Sequence, residues 1–224
     1  MVKGEIMKPI IIVNFKAYRE GLGSQGLELA QLLSKYENVI MSVPAPLIGI
    51  IAGLSMHNMA CDRKAGVFAQ HVDAVTDGAH TGSITAAEVK EAGATGSLVN
   101  HSERRIPFND IKKIISVLRT EKLTSILCCQ NLKEAVKFKK LKPDYLAYEP
   151  KELIGGDASV SDTKPGIIKD IVEAVKPVKI LVGAGIKTRK DIQKSIKLGA
   201  YGVLIASGVI KAEDKKKIIK ELIE

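Results

Sequence analysis

Aromatic side chains are scarce in this chain, which has four Phe, five Tyr and no Trp among its 224 residues. Proteins that hold single-stranded nucleic acid stack the bases on aromatic side chains, and the few aromatic residues here are scattered. We therefore expect no nucleic-acid partner. Hydrophobic residues still make up 46% of the chain, so Ile, Leu, Val and Ala must build most of the core.

Long apolar runs and paired cysteines are also lacking. No run approaches the roughly 20 apolar residues of a membrane-spanning helix, so no membrane association is expected. The N-terminal segment leads directly into "IIIVNFK" (10–16), which is typical of a first strand and not of a signal peptide. The three cysteines, Cys61, Cys128 and Cys129, favour a reducing cytoplasm over a disulfide framework.

The net charge of +9 comes from 34 basic and 25 acidic residues. The basic residues are spread over segments such as "KDIQKSIK" (190–197) and "EDKKKIIKE" (213–221), which are typical of solvated helix faces. The charge alone is thus only a weak indication of an anionic partner.

Short apolar runs alternate with amphipathic segments along the whole chain. The apolar runs are 9–16, 39–46, 66–72, 96–102, 124–130, 145–149, 178–185 and 202–208. The predicted helical segments are 25–37, a short one near 46–55, 84–92, 109–121, 132–141, 164–176, 188–198 and 213–223. Apolar strands that alternate with amphipathic helices indicate a parallel sheet covered by helices. Eight repeats predict a (β/α)8 barrel of the α/β class, as a single domain over residues 1–224.

The alternative fold is an open doubly wound sheet that binds a dinucleotide, with G-x-G-x-x-G directly after the first strand. Gly21, Gly23 and Gly26 match the bare spacing. They begin five residues after the first apolar run ends at Lys16, and no acidic residue closes a second strand about twenty positions later. The barrel is therefore the better interpretation.

Barrels of this kind carry their active sites at the C-terminal ends of the strands. The first apolar run ends in Asn14 and Lys16, which share a face because side chains alternate along a strand. The fourth ends in a segment that contains His101 and Glu103, and the sixth ends in Glu149. A lysine, a histidine and a glutamate are thus predicted to meet at one mouth of the barrel.

The segment "DYLAYEPKELIGGD" (144–157) places Glu149 at the end of an apolar strand. Pro150 follows at once, and Gly155 and Gly156 come shortly after. A buried carboxylate followed by a loop between a proline and two glycines predicts a catalytic group beneath a movable cover. The alternative is an ordinary strand end with a charged surface turn.

The last two strands end in the small-residue segments "VGAGI" (182–186) and "IASGV" (205–209). Loops after the seventh and eighth strands form the common phosphate site of this fold, because Gly and Ala let backbone N–H groups approach an anion. Tight packing against the barrel wall would explain either loop alone. Together they predict a small phosphorylated substrate.

Seven short stretches follow one another along the chain: "NFK" (14–16), "AQHVD" (69–73), "GAHTG" (78–82), "NHSERR" (100–105), "YEPKELIG" (148–155), "GAGI" (183–186) and "GVLIASGV" (202–209). In this order they resemble the triosephosphate isomerases, in their short archaeal branch. The resemblance implies a TIM barrel that interconverts dihydroxyacetone phosphate and D-glyceraldehyde 3-phosphate in glycolysis and gluconeogenesis. It implies proton transfer through an enediolate, with no cofactor and no metal.

The resemblance also implies catalytic roles for particular residues. Glu149 is expected to be the base and His101 the electrophile that polarises the carbonyl, as is known for this family. Lys16 is expected to supply positive charge to the oxyanion and the phosphate, and Asn14 an amide donor. Glu103 is expected to hold Lys16, although it could instead pair with one of the arginines that follow it.

Further implications concern substrate contacts and assembly. The expected substrate-binding residues are Asn14, Phe15, Lys16, the lid residue Ile154, Gly183, Gly185, Ala206, Ser207 and Gly208. The second lid hinge departs from the usual Gly-Thr-Gly and ends in Asp157, and region 45–66 resembles relatives poorly. The segment "DGAHTGS" (77–83) resembles the family loop that docks beside a neighbour's active site, which implies a homodimer or homotetramer.

Three other interpretations account for parts of this pattern. A Schiff-base aldolase needs a lysine buried at a strand end, and Lys16 is the candidate, but the His and Glu pair then has no role. A non-catalytic phosphate-binding or RNA-binding barrel has no need of a glutamate beneath a lid. A metal site could be assembled on paper from His57, Cys61, His71 and His80, but no pair shows the close spacing of structural zinc ligands.

Overall fold

Eight parallel strands close into a barrel in a computed structural model, which describes residues 8–57, 66–153 and 159–223. The strands are β1 (Ile10–Asn14), β2 (Val39–Val43), β3 (Gly66–Ala69), β4 (Gly96–Val99), β5 (Thr124–Cys129), β6 (Tyr145–Tyr148), β7 (Lys179–Gly183) and β8 (Gly202–Ile205). Each strand pairs with the next, and β8 pairs with β1 in the register Ile10 to Gly202. The predicted (β/α)8 fold is confirmed, and the open dinucleotide-binding sheet is excluded.

Helices follow the strands and cover the outside of the barrel. They are α1 (Gly23–Leu33), α2 (Ile48–His57), α3 (Ala86–Glu91), α4 (Phe108–Thr120), α5 (Leu132–Lys139), α6 (Val160–Thr163), α7 (Pro165–Val175), α8 (Arg189–Lys197), α9 (Ser207–Ile210) and α10 (Lys215–Ile223). Every predicted helical segment overlaps one of these helices. In the described residues, no helix has the length and the apolar character needed to cross a membrane.

Two short helices, α6 and α9, were not predicted. Each has four residues, which is too short to show a helical period in the sequence. The predicted last strand ends at Gly208, but β8 ends at Ile205 and α9 begins at Ser207. The apolar run is continuous there because both elements are largely buried, so hydrophobicity does not mark the boundary.

The core consists of two clusters separated by the barrel wall. Ile12 of β1 belongs to the inner cluster, whereas its neighbours Ile11 and Val13 belong to the outer one, as the alternation of a strand requires. The inner cluster, inside the barrel, contains Ile12, Phe68, Leu98, Ile126, Cys128, Ala147, Leu181 and Leu204. The outer cluster lies between the strands and the helices and is much larger.

Hydrogen bonds continue the strand pairing into the first residues after the strands. The Phe15 N–H donates to the Ser42 carbonyl (2.9 Å), and the Glu149 N–H donates to the Cys129 carbonyl (2.9 Å). The barrel itself therefore holds the backbone of the residues that begin the loops. Polar side chains just past a strand end project from this fixed backbone.

Candidate active site

The Glu149 carboxylate is buried at the C-terminal end of β6, with only 3% of the residue exposed. Its backbone is held from two sides, because its N–H donates to Cys129 of β5 and its carbonyl accepts a hydrogen bond from Ser102 Oγ (3.2 Å). Residue 149 thus has a fixed main chain with a buried acid above the inner cluster.

The His101 ring lies opposite this carboxylate. Its Nε2 is 3.5 Å from Glu149 Oε2, and its Nδ1 accepts a hydrogen bond from the Glu103 backbone N–H (3.2 Å). Because Nδ1 accepts, the proton of the neutral ring is on Nε2. Both Nε2 and Oε2 are buried and have no hydrogen-bond partner among the described residues. Buried polar atoms without partners are costly, and such a pair marks a place where a ligand can bind.

Glu149 and His101 shift each other's pKa values. Burial raises the pKa of Glu149, but His101 and the Cys128 thiol outweigh it, so the pKa lies below its ordinary value. Burial lowers the pKa of His101, but the Glu149 carboxylate outweighs it and raises this pKa. Glu149 is therefore ionised at neutral pH and able to accept a proton, and His101 Nε2 carries a proton in either state of the ring.

Lys16 follows β1 in an uncommon backbone conformation. Its φ is +49°, in the left-handed region that costs a residue other than glycine on the order of 1–3 kcal/mol. The Lys16 N–H donates to Asn14 Oδ1 (3.0 Å), and Nζ donates to Glu103 Oε1 (2.8 Å). The lysine side chain is 10% exposed, and Lys16 and His101 line the same cavity at the barrel mouth.

A small pocket lies between the ends of β7 and β8. It is lined by Lys16, Tyr18, Glu149, Ala184, Gly185, Ile186, Lys187, Leu204, Ile205, Ala206 and Ser207. Ala184 and Gly185 have φ values of +76° and +71°, which turn the chain sharply after β7. Ser207 begins α9, and the first N–H groups of a helix have no intrahelical acceptor. An anion in this pocket would meet backbone donors and the Lys16 charge together.

The structure places the predicted residues in different ways. Asn14, Lys16, His101, Glu103 and Glu149 come together at the mouth, and Glu103 contacts Lys16 rather than an arginine. The two arginines after Glu103 lie beside Asp73 and Glu134 instead.

The predicted phosphate residues are only partly on the pocket wall. Gly185, Ala206 and Ser207 line it, but Gly183 lies beneath Glu149 and Gly208 faces the Ile186 carbonyl. The Phe15 side chain is fully buried in the outer cluster and does not line the mouth. Ile154, Gly155, Gly156 and Asp157 lie outside the described residues.

The metal site considered from His57, Cys61, His71 and His80 receives no support from the part of the chain that the structure describes. His71 Nε2 lies 2.9 Å from Asp73 Oδ1, and its backbone follows β3. Among the described residues there is no group of three or more His, Cys, Asp or Glu side chains that could hold a metal ion. Cys61 and the side chain of His57 lie outside them.

Sequence reasoning missed three residues of the site. Gln70 follows β3 directly and donates to Asn14 and Lys16, so the rule that located the other strand-end residues could have found it. Tyr18 and Lys187 line the small pocket from loops, and no sequence pattern distinguishes them from other surface residues.

A family model, two relatives and a solved structure that match this chain belong to one family. The chain matches the family model described as triosephosphate isomerase over residues 9–222. It is 44% identical over 218 residues to the triosephosphate isomerase of Archaeoglobus fulgidus, with 96% of each chain covered. It is 42% identical over 220 residues to that of Methanothermus fervidus, covering 96% of this chain and 98% of the relative. The crystal structure of triosephosphate isomerase from Bartonella henselae has a similar fold, with a TM-score of 0.70, 19% identity and coverage of 96% and 98%.

Proposed function

The chain belongs to the triosephosphate isomerase family, and we propose how its residues interconvert dihydroxyacetone phosphate and D-glyceraldehyde 3-phosphate. The reaction is an intramolecular aldose–ketose isomerisation of glycolysis and gluconeogenesis. One observation supports the assignment most strongly: Glu149 Oε2 and His101 Nε2 face each other at 3.5 Å, buried and without hydrogen bonds. A base and a proton donor are thus oriented toward the same reacting atoms.

Glu149 is the base in this proposal. Its carboxylate removes a proton from the carbon next to the carbonyl, the C–H electrons form the carbon–carbon double bond, and the carbonyl oxygen becomes negative. His101 Nε2 gives its proton to the negative oxygen and takes the proton of the neighbouring hydroxyl, so that the negative charge moves to that second oxygen. The protonated Glu149 then returns its proton to the former carbonyl carbon, and the second oxygen becomes the new carbonyl. The lowered pKa supports this role, because it keeps the carboxylate ionised at neutral pH.

His101, Lys16 and Asn14 stabilise the enediolate oxygens. His101 Nε2–H is the hydrogen-bond donor, since Nδ1 is engaged with the Glu103 N–H. Lys16 supplies positive charge, which is most effective in a site shielded from water. The Asn14 Oδ1 already accepts hydrogen bonds, so its NH2 group is left to donate to the substrate.

The substrate phosphate is assigned to the pocket between β7 and β8. Gly185, Ala206 and Ser207 supply backbone donors there, and the Lys16 ammonium balances part of the charge. Gly183 and Gly208 support this pocket from behind, and Phe15 anchors the chain before Lys16 through its N–H bond to Ser42. We propose that Ile154 covers the substrate, because it comes directly after the short 3-10 helix Lys151–Leu153, close behind Glu149 in the chain.

We also propose a homodimer or homotetramer that works in the cytoplasm as a single barrel domain. Residues 76–82 are exposed in the isolated chain, as expected of a loop that inserts into a neighbouring subunit. The described residues from 8 to 223 all belong to one barrel and its covering helices, which supports a single domain.

A Schiff-base aldolase is less well supported. Carbinolamine formation requires a neutral lysine amine, whereas Lys16 Nζ donates to the Glu103 carboxylate at 2.8 Å. If borohydride together with the triose substrate traps a covalent adduct on Lys16, the aldolase reading replaces the isomerase.

A coupled assay of triose phosphate interconversion tests the function directly. Glu149→Asp withdraws the carboxylate by about 1.5 Å, the length of one carbon–carbon bond. Since an error of about 1 Å costs on the order of 10²-fold, we expect kcat to fall by at least ~10²-fold with a modest change in KM. Glu213→Asp, at an exposed position, is the matched control. A Glu149→Asp enzyme within threefold of wild type would remove Glu149 from the role of base.

A further inference from the structure

We propose that Gln70 is a positioning residue for Lys16 in the isomerisation, an inference that rests on the proposed function. Gln70 is the first residue after β3, and its Nε2 lies within hydrogen-bond distance of three oxygens. These are Lys16 O (3.1 Å), Asn14 Oδ1 (3.2 Å) and Ser42 O (3.3 Å). One amide nitrogen thus joins the ends of β1, β2 and β3.

The reason that Lys16 needs such support is its backbone. A lysine with φ of +49° persists only where the surroundings hold it, because the left-handed region brings Cβ close to the backbone. Both polar groups of the Lys16 main chain are held by side chains instead of by the sheet. Its N–H donates to Asn14 Oδ1, and its carbonyl accepts from Gln70.

The Gln70 amide also fixes Asn14, whose side chain holds the backbone N–H of Lys16. Gln70 donates to Asn14 Oδ1, the atom that accepts the Lys16 N–H. Loss of the Gln70 amide would therefore loosen Lys16 directly through its carbonyl and indirectly through Asn14. The backbone conformation sets the direction of the Lys16 side chain, whose Nζ must reach Glu103 and the substrate together.

The chemistry of an amide fits this position better than the obvious replacements. An uncharged NH2 group has two protons to share among three oxygen acceptors. A glutamate at residue 70 would set a carboxylate against those oxygens, and a methionine of similar length would donate nothing. A cation would repel the Lys16 ammonium.

The test compares Gln70→Met and Gln70→Glu with the same changes at Gln193, which is exposed on α8. We expect Gln70→Met to lower kcat/KM by about tenfold or more, in line with the cost of misplaced catalytic groups. Gln70→Glu should lose more, while both Gln193 variants stay within twofold of wild type and circular dichroism shows every protein folded.

A double-mutant cycle separates positioning from a general structural role. If Gln70 acts through Lys16, Gln70→Met should cause no further loss of residual kcat/KM in a Lys16→Met background. An equal loss in both backgrounds, an unchanged kcat/KM, or a Gln70→Met protein that does not fold overturns the proposal.

The affinity for inorganic phosphate tests the role of Gln70 without relying on isomerase activity. The dissociation constant, followed by NMR titration, should rise at least about threefold in Gln70→Met, because Lys16 borders the phosphate pocket. If wild type shows no isomerase activity, the proposed function fails, and the phosphate titration still decides whether Gln70 positions Lys16. Equal dissociation constants for wild type and Gln70→Met reject the positioning role.

Discussion

A single methyl group added at Gly183 should disable the site without unfolding the barrel. An ideal Cβ at this position would lie 2.8 Å from Glu149 Cγ, 2.9 Å from Oε1 and 3.2 Å from Cδ. These three atoms of Glu149 are its nearest neighbours, and Gly183 lies at the end of β7. Gly183→Ala therefore tests whether the position of the Glu149 carboxylate, the proposed base, depends on the space that Gly183 leaves open.

The size of the effect follows from these distances. Carbon atoms in contact lie about 3.5–4.0 Å apart, so the carboxylate must move by about 0.7 to 1.2 Å. A misplacement of about 1 Å costs on the order of 10²-fold in rate. We expect kcat of Gly183→Ala to fall by about 30- to 300-fold, a range that brackets this cost, with KM changed much less.

The assay is steady-state isomerisation in both directions, with thermal unfolding measured in parallel. Gly166→Ala is the matched control, since a Cβ there meets no atom within 4 Å. The melting temperature of Gly183→Ala should stay within about 2–4 °C of wild type, the shift that about 1 kcal/mol produces in a domain of this size. A Gly183→Ala enzyme with kcat within threefold of wild type would show that Glu149 finds its working position independently of Gly183.

Three further changes test other parts of the molecule. Lys187→Ala removes a cation from the wall of the phosphate pocket, and we expect KM to rise several-fold in steady-state assays with little change in kcat. Thr81→Arg places an unpaired charge in the proposed subunit interface at a cost of roughly 2–5 kcal/mol, so sedimentation should detect a smaller and less active species. Burial raises the pKa of Asp191, but hydrogen bonds from Lys187 and Thr188 outweigh it and lower this pKa below 3.8. Asp191→Asn should therefore cost about 1 kcal/mol at neutral pH, and urea titrations should show the difference from wild type vanishing as pH falls below ~3.8.

The barrel could be predicted from the sequence because its signal is repeated. Each apolar run and each amphipathic segment is weak evidence alone, but eight alternations leave few other folds. The limits of α6 and α9 could not be predicted, since four residues do not complete two helical turns and so show no helical period in the sequence.

The candidate site could be predicted where function follows directly from position on a strand. Lys16, His101 and Glu149 come just after strand ends, and the structure brings them to one mouth. The place of Gly183 could not be predicted in the same way, because the sequence does not show which side chain folds over it. Similarly, the left-handed conformation of Lys16 has no sequence signal, since lysine is not a residue that favours it.

The barrel wall divides the core into two compartments, and both reach the phosphate pocket: Ile186 and Ile205 belong to the outer cluster, and Leu204 to the inner one. The large outer cluster packs strands against helices and contains most of the buried apolar side chains. The small inner cluster includes Leu204, which lines the phosphate pocket, and Cys128, whose thiol lowers the pKa of the Glu149 carboxylate. Repacking of the helix-facing layer away from Ile186 and Ile205 is therefore a route to thermostable variants that keep their turnover number. Substitutions in the inner cluster change the packing beneath the proposed catalytic side chains. Selection for activity therefore acts on the inner cluster first.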